Sequence, residues 1–254
     1  MLYFFSFLLF MRRILDSTIY VFDLDGTLTP PRKPMAADFA EKFEGFLKAS
    51  RAFIATGSDL AKVQEQMPQH IMDCFEGIFC SMGNLLWAKG ETVYKNEIEI
   101  PAAMLEKLHY YRANTKYPGP LYDNFIEKRT GMLNFSVLGR NCPYEAREDY
   151  RAWDSKSGER KAIQKELLSL FPGWEVAVGG SISIDITPAG KGKSQIAAYL
   201  RQHNPAEKII FFGDRTLPGG NDYELAQALA KMDNTKTVQI SGPEEVLEIL
   251  QGRN

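Results

Sequence analysis

Short apolar runs alternate with amphipathic segments at both ends of this chain. The runs are rich in β-branched and aromatic residues, which predicts buried strands at residues 19–22, 52–56, 75–80, 208–212 and 237–240. The intervening segments repeat apolar residues at helical spacing, which predicts helices at residues 37–48, 59–67, 194–202, 222–232 and 244–250. Because strands and helices alternate, we predict an α/β fold with a parallel sheet and right-handed crossovers.

The pattern changes in the middle of the chain, where polar and apolar residues alternate along the predicted strands. Such alternation at residues 91–100 and 124–137 predicts an antiparallel sheet with one solvated face. Helical patterns accompany it at about residues 102–113 and 145–170. We therefore predict an α+β cap domain inserted into a Rossmann-like core, with the cap at residues 85–187 and the core at residues 11–84 and 188–254.

The first ten residues are almost wholly apolar, and Arg12 and Arg13 follow them. A secretory signal carries its positive charges before the apolar run, and ten residues are too few to cross a bilayer. We therefore expect residues 1–10 to be extra sequence outside the fold, with no stable membrane association. A tail that touches a membrane is the alternative.

Carboxylates stand where two of the predicted strands end. Asp23 and Asp25 follow the first strand, and Asp214 follows the strand that returns after the insert. Ligands of open α/β sheets bind beyond the carboxyl ends of the strands, and a hard cation offsets the cost of burying carboxylates. We predict one Mg²⁺ there, held or oriented by five residues: Asp23, Asp25 through its backbone carbonyl, Asp214, Asn221 and Asp222.

Other polar residues near strand ends suit a phosphate. Hydroxyl and backbone N–H groups are offered to phosphate oxygens by Thr56, Gly57 and Ser58. Lys193 would balance the charge of an aspartyl-phosphate, and Lys191 competes for that role. We predict phosphoryl transfer, with Asp23 as the nucleophile and Asp25 as the general acid and base.

Composition excludes several other classes of protein. The 254 residues are 44% hydrophobic and 24% charged, with a net charge of −2, which argues against nucleic acid as a partner. The three cysteines lack a metal-binding spacing, and their odd number suits a reducing compartment, so we expect a cytoplasmic protein. The three histidines fit neither a zinc site nor a Ser-His-Asp triad.

Several motifs resemble a known family. Residues 23–29 together with Gly213 and Asp214 resemble the haloacid-dehalogenase (HAD) superfamily of phosphotransferases. Four further segments resemble the eukaryotic-type phosphomannomutases, whose cap is of the superfamily's subclass IIB, and they lie at residues 125–134, 138–142, 179–185 and 211–222. The resemblance runs in order from about residue 19 to residue 229.

The resemblance implies roles for cap residues. Arginines that hold the distal phosphate of the sugar correspond to Arg129, Arg140 and Arg147. An arginine fork matches a phosphate bidentately, which agrees with that role. The resemblance also places Ser183 and Asp185 against the distal phosphate and the sugar hydroxyls, and Asn134 against the sugar.

The activity implied is exchange of mannose 1-phosphate and mannose 6-phosphate through an aspartyl-phosphate, with a hexose 1,6-bisphosphate as activator and intermediate. The family also implies a homodimer formed through the cap.

Thr56 stands where the mutases have glycine, so a sugar-phosphate phosphatase on the same scaffold is the alternative. Residues 223–230 predict a plain helix where the family has a loop for a second cation. The choice between mannose and glucose phosphates stays open.

Overall fold

The structure is a computed structural model and describes residues 18–252. The strands are Thr18–Phe22 (β1), Arg51–Ala55 (β2), Gly77–Cys80 (β3), Leu85–Ala88 (β4), Glu91–Lys95 (β5), Ile126–Arg129 (β6), Met132–Phe135 (β7), Trp174–Gly179 (β8), Ser183–Pro188 (β9), Lys208–Gly213 (β10) and Thr235–Gln239 (β11). The helices are Ala37–Ala49 (α1), Leu60–Gln66 (α2), Gln69–Met72 (α3), Ala102–Ala113 (α4), Tyr144–Ser157 (α5), Glu159–Leu170 (α6), Gln195–His203 (α7), Tyr223–Ala230 (α8) and Pro243–Leu250 (α9), with a short 3₁₀ turn at Ser81–Gly83.

A seven-stranded sheet in the order β11-β10-β1-β2-β3-β4-β5 forms the core. The first five strands of that order run parallel, which confirms the predicted α/β class. Strand β1 lies in the middle of the parallel part, between β10 and β2. The residues that follow β1, β2 and β10 therefore meet at one edge of the sheet.

The central strands of the core sheet are buried on both faces. The Phe22 ring packs between those of Phe43 on α1 and Phe212 on β10, with centroids 5.3 and 5.1 Å away. Ile19 and Phe211 are buried in the cluster on the other face. Each such side chain contributes about 1.5 to 3 kcal/mol by leaving water, so β1 is held firmly and fixes the position of the residues after it.

The insert has a sheet and a core of its own. Its four strands are antiparallel in the order β6-β7-β9-β8, which confirms the predicted antiparallel cap sheet. Helices α4, α5 and α6 contribute to the separate hydrophobic cluster that covers this sheet. Buried residues of that cluster include Leu133 and Phe135 on β7 and Ile184 and Ile186 on β9.

Two details of the sequence-based prediction were wrong. Residues 85–95 were assigned to the cap, but β4 pairs with β3 and β5 pairs with β4, so both strands extend the core sheet. The alternating pattern of β5 reflects an exposed edge strand of that sheet. Residues 145–170 form two helices because Gly158 adopts a left-handed φ of 70°, which ends α5.

The expectations for residues 1–10 lie outside the described residues. Within residues 18–252, no helix combines the length and the apolar character that crossing a bilayer requires.

Candidate active site

Asp23 is the first residue after β1, and the sheet fixes its backbone. Its N–H donates to the carbonyl of Phe212 at 2.9 Å, so the ladder with β10 continues one residue beyond the strand. Its side chain is only 2% exposed. Asp214 follows β10 directly, and a Cβ at Gly26 would lie 2.5 Å from its Oδ2. Glycine at position 26, with a φ of 91°, lets the turn after Asp25 pass close to Asp214.

Lys193 is the cation of this cluster. Its Nζ lies 2.7 Å from Asp23 Oδ1 and also contacts Asp222 Oδ1, and its side chain is 0% exposed. The geometry therefore favours Lys193 over the exposed Lys191 as the lysine beside Asp23. Burial acts to lower the pKa of Lys193, but Asp222 and Asp23 outweigh it and raise the pKa, so the lysine is charged.

Three carboxylates near Lys193 form an acidic cluster. One oxygen from each of Asp23, Asp214 and Asp222 lies within 4.8 Å of the others. Three buried oxygen atoms at this place have no hydrogen-bond partner, namely Asp23 Oδ2, Asp214 Oδ1 and Asn221 Oδ1. Buried oxygen atoms without hydrogen-bond partners suit a hard divalent cation such as Mg²⁺, so Asp23, Asp214, Asn221 and Asp222 fit the predicted metal. Ligation by the backbone carbonyl of Asp25 stays a prediction. Asp222 contacts Lys193 directly. The sequence did not predict this contact, because Asp222 lies far from Asp23 along the chain.

Crowding of carboxylates changes their acidity. Burial raises the pKa of Asp23 well above its ordinary value, and the Asp222 carboxylate adds to this against the opposing charge of Lys193. Burial, together with Asp222, raises the pKa of Asp214 to about 6. A carboxyl group whose pKa is raised by folding stabilises the fold at low pH, and that stability is lost as pH rises through the folded pKa. A bound cation would reduce the repulsion among the carboxylates of Asp23, Asp214 and Asp222.

We therefore expect Mg²⁺ to raise the melting temperature more at pH 7.5 than at pH 5. At pH 5 the Asp214 carboxyl holds a proton that the cation must displace, so the cation binds more weakly there. Thermal melts with and without Mg²⁺ at the two pH values measure the difference. Asp214→Asn should remove most of the Mg²⁺ effect at pH 7.5, whereas Asp38→Asn, an exposed site, should not. Equal shifts at both pH values would contradict the assignment.

The carboxylate of Asp25 is oriented by three donors. Its Oδ1 accepts from the backbone N–H of Arg32 at 2.8 Å and from Gln66 Nε2 at 3.0 Å, and its Oδ2 accepts from Ser58 Oγ at 3.0 Å. The carboxylate is thus held by hydrogen bonds in a polar setting, which is compatible with the predicted role of general acid and base. Neither Arg32 nor Gln66 was predicted from the sequence, where only the polar Gln66 at the end of an amphipathic helix could have signalled a buried partner.

In the turn after β2, two of the three backbone N–H groups already have partners within the core. Thr56 and Ser58 were expected to offer backbone N–H groups to phosphate, but Thr56 N–H donates to Phe79 O at 2.9 Å and Ser58 N–H donates to Thr56 Oγ1 at 3.0 Å. The carbonyl of Gly57 accepts from Arg129 of the cap at 2.9 Å. The turn therefore connects the acidic cluster to the cap, and its phosphate role stays a prediction.

The cap residues named by the resemblance cluster around the buried Arg140. Its guanidinium donates to Ser183 Oγ at 3.1 Å and to Asn134 Oδ1. Asn134 in turn donates to the buried Asp185, which faces it across β7 and β9. Burial raises the pKa of Asp185 against the opposing charge of Arg129. Cross-strand pairing thus places these side chains on one face of the cap sheet.

Arg147 joins the cluster from α5, where its Nη2 donates to the carbonyl of Arg140 at 2.7 Å. Arg147 is half-buried against this loop and is therefore more than a solvent-exposed helix charge. Glu127, which the sequence analysis did not single out, accepts from both Arg129 and Arg140. A glutamate two residues before an arginine on a strand shares its face, which was the available signal.

The fold and the acidic cluster define a class of protein. A parallel sheet with acids after two neighbouring strands, and a cap inserted between them, is the arrangement of the HAD fold. A haloacid dehalogenase-like hydrolase from Bacteroides thetaiotaomicron matches this structure with a TM-score of 0.56 over 93% of this chain and 99% of that chain. The two sequences are 16% identical, so this likeness shows the fold alone.

Sequence comparison identifies the family. The family model described as eukaryotic phosphomannomutase matches residues 40–252. A phosphomannomutase of Dendrobium officinale is 32% identical over 228 residues, which cover 86% of this chain and 88% of that protein. A probable phosphomannomutase of Caenorhabditis elegans is 34% identical over 240 residues, covering 90% and 92%. The chain belongs to the eukaryotic phosphomannomutase family.

Proposed function

We propose that this chain interconverts mannose 1-phosphate and mannose 6-phosphate through a phosphorylated Asp23 and a hexose 1,6-bisphosphate. One observation carries the proposal. The cap arginine Arg129 donates to Gly57 O at 2.9 Å, and the next residue of that core turn, Ser58, donates to Asp25, which supports one site shared by the acidic cluster and the cap arginines. Such a site can bind a sugar that carries phosphate at both ends.

The proposed reaction uses the core residues in two half-reactions. An Asp23 oxygen attacks the phosphorus of the bisphosphate, and the bond from phosphorus to the sugar oxygen breaks. Asp25 gives that sugar oxygen its proton. In the second half-reaction Asp25 takes the proton of the entering sugar hydroxyl, which attacks the phosphorus of phosphorylated Asp23 and frees the carboxylate.

Charge at the transferring phosphoryl group is balanced by fixed groups of the core. Lys193, held at 2.7 Å from Asp23, orients the nucleophile and offsets negative charge in a buried place where such interactions are strong. Asp23, Asp214, Asp222 and Asn221 would hold Mg²⁺. When bound, the ion would neutralise phosphate oxygens and polarise the phosphorus toward attack.

The cap is proposed to hold the phosphate that does not react. The Arg140 guanidinium donates to Asn134 and Ser183 and pairs with Glu127, so it is already oriented before a phosphate arrives. A cap closed over the sugar also keeps water from phosphorylated Asp23, which separates a mutase from a hydrolase. Asn134 and Asp185, which are hydrogen-bonded to each other beside Arg140, are proposed to bind the sugar hydroxyls.

We expect Arg140→Ala to raise the KM for mannose 1-phosphate by about 10- to 100-fold, since hydrogen bonds to charged groups are worth roughly 1.5 to 3 kcal/mol. The kcat should fall less, because the reacting phosphate is bound by the core. Steady-state kinetics measure the split. Arg151→Ala removes an exposed cap arginine paired with Glu148 and serves as the matched control. An unchanged KM in Arg140→Ala would refute the distal-phosphate role.

The activity itself is tested with purified protein, mannose 1-phosphate and Mg²⁺, with and without a hexose 1,6-bisphosphate. Mannose 6-phosphate that forms only with the bisphosphate supports the mutase. If inorganic phosphate forms without mannose 6-phosphate, the activity is that of a sugar-phosphate phosphatase and not of a mutase. Thr56, on the turn beside Asp25, favours this alternative. Glucose 1-phosphate in place of mannose 1-phosphate tests the preference between the two sugars.

We also propose a cytoplasmic homodimer formed through the cap. The cysteines at positions 74, 80 and 142 are all free thiols, as a reducing compartment favours. Large apolar side chains are exposed on the cap, among them Tyr110 on α4 at 55%. Light scattering on the purified protein tests the dimer, and Tyr110→Glu should shift the mass toward the monomer.

A further inference from the structure

One cap carboxylate, that of Glu127, binds three cations. Its Oε2 lies 2.6 Å from Arg129 Nη2 and 2.8 Å from Arg140 Nε, and its Oε1 lies 2.6 Å from Lys62 Nζ. The two arginines are the cap residues proposed to hold the distal phosphate. Lys62 belongs to the first turns of α2 in the core. Glu127 therefore orients the substrate-binding arginines and, through Lys62, ties them to the core.

Arg129 makes two further contacts from the cap to the core: it donates to Gly57 O, and its Nε lies 3.9 Å from Asp59 Oδ2. Asp59 is the N-cap residue of α2 and also pairs with Lys62 within the core at 2.8 Å. Gly57 and Asp59 lie on either side of Ser58, whose hydroxyl donates to Asp25. Loss of Glu127 would thus release the arginines that it orients, and loss of Lys62 would loosen the contact between cap and core while the arginines keep Glu127.

The charges favour a firm contact. Arg129 and Arg140 have side chains 6% and 5% exposed, and those of Lys62 and Glu127 are 25% and 21% exposed. Burial works to raise the pKa of Glu127, but Arg129 and Lys62 outweigh it and lower the pKa, so the carboxylate is ionised at neutral pH. A shielded pair is screened less by salt than one on the surface.

We propose that Lys62 and Glu127 are a positioning pair which holds the cap closed on the core and so decides whether the phosphoryl group on Asp23 passes to the sugar or to water. The inference rests on the proposed function. In the productive route the sugar oxygen bonds to phosphorus, the bond to Asp23 breaks, and Asp25 takes the hydroxyl proton. In the competing route water takes the place of the sugar hydroxyl, and the products are inorganic phosphate and free Asp23.

The experiment measures inorganic phosphate and mannose 6-phosphate in the same reaction, with a hexose 1,6-bisphosphate present. Lys62→Met keeps the length of the side chain and removes its charge, and should raise the ratio of phosphate to isomer about fivefold, the effect of losing a partly shielded ion pair. The KM should change little, since both arginines keep Glu127. Lys62→Arg should restore the wild-type ratio.

Glu127→Gln distinguishes the two roles of the carboxylate. It should raise the same ratio and also change the KM, because the arginines lose their shared partner. The double variant Lys62→Met with Glu127→Gln should have the same ratio as Glu127→Gln alone. Glu127→Gln already breaks the ion pair with Lys62, so removing the Lys62 charge as well has no further effect. Lys107→Met, which breaks a pair with Glu166 that lies wholly within the cap at 2.9 Å, is the matched control and should leave the ratio unchanged.

The inference is overturned if Lys62→Met isomerises with the wild-type ratio, or if Lys107→Met raises the ratio as much. Effects of Lys62→Met and Glu127→Gln that simply add would also overturn it. Melting temperatures of all variants separate a changed ratio from partial unfolding, and Lys62→Arg keeps the test decisive if Lys62→Met does not fold. Wild-type protein that makes no isomer would instead refute the proposed function.

Discussion

Asp23→Asn is expected to lower phosphoryl transfer by at least about 10⁴-fold while the protein stays folded. An amide oxygen is a poor nucleophile, and loss of the nucleophile of a covalent mechanism has effects of this size. The fold should tolerate the change, because burial already raises the pKa of Asp23 and an amide of the same size places no charge there. Isomerase kinetics and a thermal melt measure the two effects.

Asp233→Asn, which changes an exposed aspartate distant from the sheet edge, is the control for Asp23→Asn and should behave as wild type. Wild-type protein given a ³²P-labelled hexose bisphosphate should carry label after a rapid acid quench, and the Asp23→Asn variant should not. A labelled Asp23→Asn protein, or one retaining more than a few per cent of activity, would place the nucleophile elsewhere.

Lys193→Met should have the second-largest effect, and it acts on both activity and stability. Removing one partner of a buried charged pair costs about 3 to 5 kcal/mol, and here two carboxylates, those of Asp23 and Asp222, lose their cation. The rate should fall by about 10²- to 10³-fold, as when one group that stabilises the transition state is deleted. Denaturant unfolding and isomerase kinetics measure the two losses.

Added Mg²⁺ should recover part of the stability lost in Lys193→Met, because a divalent cation can offset the same carboxylates. The rate should stay low, since Mg²⁺ does not replace the ammonium group that offsets charge on the transferring phosphoryl group. Lys191→Met is the matched control: that side chain is exposed, only two positions away, and should matter little. If Lys191→Met lost more activity than Lys193→Met, the assignment of the lysine would be reversed.

The sequence revealed those parts of the site that follow strand ends. Asp23 and Asp214 could be placed together because apolar runs marked β1 and β10, and parallel strands bring their carboxyl ends to one edge. Lys193 could be named but not separated from Lys191, because the loop that carries them has no periodicity. Only the fold shows that one is fully buried and the other exposed.

Contacts across the two domains could not be predicted from the sequence. Glu127 and Lys62 read as ordinary surface charges on a strand and a helix, and nothing in either segment encodes their partner 65 residues away. Within the core, the contact between Gln66 and Asp25 could not be predicted either, because 41 positions separate the two residues. The assignment of β4 and β5 failed for a related reason, since an edge strand of the core sheet and a cap strand carry the same alternating pattern.

The central claim is that the phosphoryl group on Asp23 returns to a sugar. The most direct measurement follows ³²P from a labelled hexose 1,6-bisphosphate in a reaction with unlabelled mannose 1-phosphate and Mg²⁺. The account predicts that label appears in hexose phosphates, mannose 6-phosphate among them, at a rate that matches isomerisation, with little in inorganic phosphate. Label that collects in inorganic phosphate while mannose 1-phosphate stays unconverted would contradict it.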